Sequence, residues 1–109
     1  MCWSATASVS MVAIGSAAMA VSILRKDPKA IWVTLGYFTA MEGLQALGYA
    51  VVDDCSNPAN TSITLLSYLH IAFQPLFLNA FAMAIAPSVV PSRKRIWVYG
   101  FAAIATAFM

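Results

Sequence analysis

Nine of the ten charged residues in this chain fall in three short breaks between long apolar runs, and only Glu42 lies inside a run. That patterning leaves few folds open. An apolar stretch of about 20 residues is the length of helix that crosses a hydrocarbon core roughly 30 Å thick. In lipid every backbone polar group must be satisfied within the segment or by a closed sheet. Apolar residues make up 61% of the chain and charged residues 9%, against about 25% charged in a soluble domain. The expected class is therefore all-α, a polytopic transmembrane helical bundle forming a single domain in the lipid bilayer.

The signs of the charges set the expected topology. All six basic residues lie in two clusters, Arg25, Lys26 and Lys29, then Arg93, Lys94 and Arg95, while the loop Asp53 to Ser62 carries only the acids Asp53 and Asp54. Two apolar runs separate the basic clusters, which places both on one side of the bilayer. Cytoplasmic loops carry the excess of Lys and Arg, so the basic turns are expected in the cytoplasm and the N-terminus outside. The net charge of +2 is accounted for by this topology, and nothing points to nucleic acid as a partner. The first run has no basic segment before it, unlike a secretory signal, and is read as a permanent span.

Three full spans and part of a fourth are expected, at about residues 3–24, 30–52, 63–86 and 96–109. Charge and Pro28 end the first, whose many small residues suit close helix packing in lipid. The second has two faces at helical spacing: Gly36, Ala40, Gly43 and Ala50 on one, Thr34, Phe38, Met41, Glu42, Gln45 and Tyr49 on the other. In the third, Ser67, His70, Gln74, Phe77 and Phe81 share a face, Thr61 or Ser62 is the expected cap, and Pro75 removes a backbone donor and predicts a kink. The fourth is too short to cross a bilayer as a straight helix. It implies either further C-terminal spans in a longer chain or cover from a partner, a second copy included.

Glu42 is the residue such a chain must explain, because a charge near the membrane centre costs at least a few kcal/mol. With the second span rising outward to Val52 and the third descending from Ile63, Glu42 comes level with Gln74 and Gln45 with His70, at 1.5 Å per residue. These four residues form the candidate site, for a proton, a metal ion or a small polar ligand. The structural alternative is a neutral glutamic acid that locks two helices by a hydrogen bond to Gln74. His70 and Glu42 would be the ligands of a transition metal, but zinc takes three or four. A metalloenzyme would need the set completed by Gln74, Met41, a further segment or a second subunit. The six methionines follow no repeated spacing and read as packing.

Cys2 and Cys55 both fall at the expected outer face, where thiols pair. They form a disulfide or, with Asp53 or Asp54, a soft-metal site. Asn60-Thr61-Ser62 fits a glycosylation sequon but sits at the membrane surface. No nucleophile, phosphate loop or dinucleotide motif is present, and no catalytic residue is assigned.

The opening Met-Cys-Trp-Ser-Ala, the stretch Thr34-Leu35-Gly36-Tyr37-Phe38 through Met41-Glu42-Gly43-Leu44-Gln45, and Leu69-His70-Ile71-Ala72-Phe73-Gln74-Pro75 together resemble an uncharacterised family of small multi-pass membrane proteins. The resemblance implies a longer parent chain with further spans and supplies no activity. Three functions stay open: a proton, ion or ligand site, a membrane metalloenzyme, and a structural or assembly subunit.

Overall fold

The computed structural model describes residues 4–86, 88 and 90–109. Four helices account for most of them: α1 (Ala5–Leu24), α2 (Lys29–Tyr49), α3 (Pro58–Ile85) and α4 (Ser92–Phe108), with no strand among the described residues. They form an open antiparallel row in which α1 packs on α2, α2 on α3 and α3 on α4, with no packing between helices that are not neighbours in sequence.

The helix ends differ from the apolar runs, for reasons visible in the caps. α3 starts at Pro58, five residues before Ile63, because Asn57 caps it by accepting from Ala59 N at 3.0 Å and proline is preorganised for the first helical position. Ser62 therefore sits inside the helix, donating to Pro58 O at 3.2 Å. α2 ends at Tyr49, and Ala50 and Val51 tighten into a turn with bonds back to Leu47 O and Gly48 O, both 3.1 Å. α4 begins at Ser92 behind Pro91 rather than at Ile96. α3 runs on through Pro75 as one helix. Ser4 caps α1 by accepting from Ala7 N at 3.1 Å.

The turn from α1 to α2 closes by a Schellman pair, Lys26 N to Ile23 O at 3.0 Å and Asp27 N to Ser22 O at 3.1 Å, with Asp27 Oδ2 also accepting from Ser22 Oγ at 2.7 Å. Lys26 is left-handed, at φ 59°. A non-glycine residue pays roughly 1 kcal/mol or more there. Lys26→Gly is thus expected to raise resistance to unfolding in detergent by up to about 1 kcal/mol, and an unchanged or lower stability would show that the turn is relaxed as it stands.

Two helices, Ala5–Leu24 and Pro58–Ile85, are long and apolar enough to cross a membrane. This corrects the expectation of three full spans. α2 has 21 residues, enough to reach across, but Glu42, Gln45 and its glycines and threonines lower its hydropathy below that of a helix that would span on its own. α4, with 17 residues, is short.

The two apolar helices are not the buried core of a globule. Large side chains face outward along the row, including Ile14 at 62% exposure, Leu65 at 57% and Phe101 at 65%. What is buried is small: Ser8, Ser22 and Thr34, with Ala72 and Ala102. α2 meets α1 closely at Gly36 and Thr39. A Cβ on Gly36 would lie 2.8 Å from Met19 Sδ, and one on Gly15 of α1 would overlap Thr39 Oγ1.

Candidate functional site

The α2–α3 seam carries ring stacking and side-chain hydrogen bonds between helices. Tyr37 lies between two rings of α3, stacked on His70 with centroids 3.6 Å apart and on Phe77 at 3.8 Å, with interplanar angles of 17° and 12°. Around this sandwich the two helices exchange bonds. Tyr37 OH donates to the backbone carbonyl of His70, and His70 Nε2 lies 2.6 Å from the carbonyl oxygen of Tyr37. Only a protonated Nε2 can donate there, which sets the tautomer of a neutral ring. One turn below, Thr34 Oγ1 donates to Ala30 O at 2.6 Å and approaches Phe77 O at 3.3 Å.

These contacts fix the register. Tyr37 is level with the segment between His70 and Phe77, and near the α2–α3 turn Gly48 approaches Ile63, a Cβ on the glycine lying 3.7 Å from Ile63 Cγ2. Relative to the depths read from the sequence, α3 has slid by about five residues, or roughly 7 Å, because it begins at Pro58. Gln45 and His70, and likewise Glu42 and Gln74, are consequently offset along the seam rather than level. Among the described residues neither Glu42 nor Gln74 makes a hydrogen bond or ion pair, and both are half-buried.

Toward the α2–α3 turn the seam opens into a groove of about 520 Å³, in which Gln45 and Tyr49 of α2 face Asn60, Thr64, Ser67 and Tyr68 of α3. Gln45 is the one member of the sequence-derived set that lines it. A second groove, about 610 Å³ and apolar, has His70 at its edge beside Gly43 and Leu44. The four candidate residues therefore divide: Gln45 goes to the polar groove and His70 to the helix clasp, while Glu42 and Gln74 line neither groove.

No three His, Cys, Asp or Glu residues come together among the described residues. A metal on His70 and Glu42 would have no third such ligand, and His70 Nε2 is already engaged. Cys55 is exposed, while Cys2 lies outside the described residues, and with it the disulfide and the soft-metal alternative. Tyr37 is what the sequence reading passed over. Its signal was position: a tyrosine in the middle of a largely apolar helix needs a partner for its hydroxyl.

No curated protein and no solved structure matches the chain. A family model matches residues 6–109, nearly the whole chain and all of the clasp and groove, though not the opening Met-Cys-Trp-Ser. The chain belongs to a family of unknown function, DUF5765.

Proposed function

We propose that this is an integral membrane protein whose α2–α3 groove binds a small amphipathic ligand from the outer side of the bilayer, with the N-terminus outside and both basic turns in the cytoplasm. The observation that carries the reading is the groove itself. Side-chain amides and hydroxyls from two helices converge on one opening between helices whose outward-facing side chains are largely apolar. Ligand sites take this form, mostly apolar walls with a few polar groups that fix orientation, and polar groups on membrane helices face protein or a water-filled cavity. Beneath the groove the Tyr37 clasp holds the two helices at fixed spacing. Glu42 lines neither groove and is left out of this site.

The test is accessibility. In a background with Cys2 and Cys55 replaced by serine, Ser67→Cys is expected to react with a membrane-impermeant thiol reagent added from outside, while Leu65→Cys, on the apolar surface, stays unreactive. Adding Gly48→Leu, which grows toward Ile63, should slow the Ser67→Cys reaction severalfold. Equal protection at residues 65 and 67 would overturn the groove as a water-accessible site.

A further inference from the structure

The antiparallel row gathers every basic residue of the chain at one end. Arg25, Lys26 and Lys29 stand on and beside the α1–α2 turn, and Arg93, Lys94 and Arg95 begin α4. All but Arg95 are exposed, and Arg95 is anchored by donating from Nε to Val90 O at 3.2 Å. The only carboxylate at this end, Asp27, accepts from Ser22 within its own turn. Six cations thus face one carboxylate.

The local helix chemistry adds to the excess rather than relieving it. α2 and α4 both start here, each without an acid in the first turn and without a side-chain cap, and with lysine or arginine in the places where an acid would offset the positive end of the helix. α1 and α3, which start at the other end, are capped by Ser4 and Asn57. Large apolar side chains adjoin the cations: Leu24 is 82% exposed, Ile96 73% and Trp97 68%. A band of apolar side chains with an indole at its edge, topped by cations, matches the boundary between acyl chains and headgroups.

We propose that this basic end is a binding surface for anionic phospholipid headgroups of the leaflet it faces. The inference rests on the membrane reading above and is independent of the groove. Each lysine or arginine near an anionic surface contributes about 1 kcal/mol, roughly fivefold in affinity. Arg93 and Lys94 lie at the start of α4, exposed and outside its packed surface, so replacing them leaves the row intact.

The experiment reconstitutes the full chain in nanodiscs of mixed phosphatidylglycerol and phosphatidylcholine and counts lipids retained on release into detergent by native mass spectrometry. The unaltered protein should retain phosphatidylglycerol in preference to phosphatidylcholine, and the double variant Arg93→Gln/Lys94→Gln should lose that preference by about tenfold or more. Lys29→Gln added to the pair should reduce it further. Equal retention of the two lipids by the unaltered protein, or a preference untouched by the substitutions, would overturn the proposal, as would inorganic phosphate displacing phosphatidylglycerol at millimolar concentration, since the surface would then be a free-phosphate site. Resistance to alkaline extraction, measured alongside, separates the two readings: a protein that is extracted was never inserted, whereas an inserted protein without lipid preference sinks only the headgroup surface.

Discussion

Tyr37→Ala is expected to weaken the α2–α3 pair by about 2–4 kcal/mol, the largest effect of any single truncation in the seam. Aromatic pairs contribute roughly 0.5–1.5 kcal/mol each beyond area burial, and Tyr37 makes two of them across the seam, with His70 and Phe77. The hydrogen bond to the His70 carbonyl adds about 0.6 kcal/mol, the average for interhelical bonds in a membrane protein. Tyr37→Phe isolates that last contribution, because it keeps both stacks and removes only the hydroxyl. Unfolding in mixed micelles of increasing dodecyl sulfate would measure both variants. If Tyr37→Phe costs as much as Tyr37→Ala, the hydroxyl rather than the stack holds the helices. If neither moves the midpoint, the seam is held elsewhere and Tyr37 is a passenger.

The spacing of charges and apolar runs was enough to read helix number, order and part of the face assignment of α2. Gly36 does pack on α1 and Thr34 does meet α3, while Tyr37, on neither of the expected faces, meets α3 as well. Hydropathy could not give the ends. A run of apolar residues continues through Val51 and Val52 after α2 has stopped, and α3 begins inside the polar segment at Pro58. By composition Asn57-Pro58 belongs to the loop, although the same pair is a cap followed by a proline at the first helical position. That one reading moved α3 by more than a turn, and every depth pairing in the candidate site inherited the error. Glu42 illustrates a second limit. Its expected cost in lipid is evident from the sequence, but which neighbour offsets it depends on rotation about α2, and Tyr37, not the Gln45 expected from depth, is stacked on His70.

The α1–α2 contact offers the second large effect and a way to prove its cause. Gly15→Leu is expected to cost about 3 kcal/mol, the upper end of the range for overpacking a close contact, because a Cβ at Gly15 already overlaps Thr39 Oγ1 and stands 3.3 Å from Thr39 Cβ. Thr39 cannot simply swing aside: its χ1 is restricted by branching at Cβ, and its hydroxyl is held by Leu35 O at 2.7 Å. Gly15→Ala alone should cost about 1–2 kcal/mol by the same clash, offset in part by the better helix propensity of alanine, worth about 0.8–1.0 kcal/mol. Removing the obstacle separates these contributions. In a Thr39→Ala background the Oγ1 and Cγ2 atoms are gone, and Gly15→Ala should become neutral or stabilising by up to about 1 kcal/mol. The pair of substitutions should therefore couple by at least about 1 kcal/mol in a double-mutant cycle. Simple additivity would mean that α1 and α2 do not meet at Gly15 and Thr39, and the packing of the row at its first crossing would have to be redrawn.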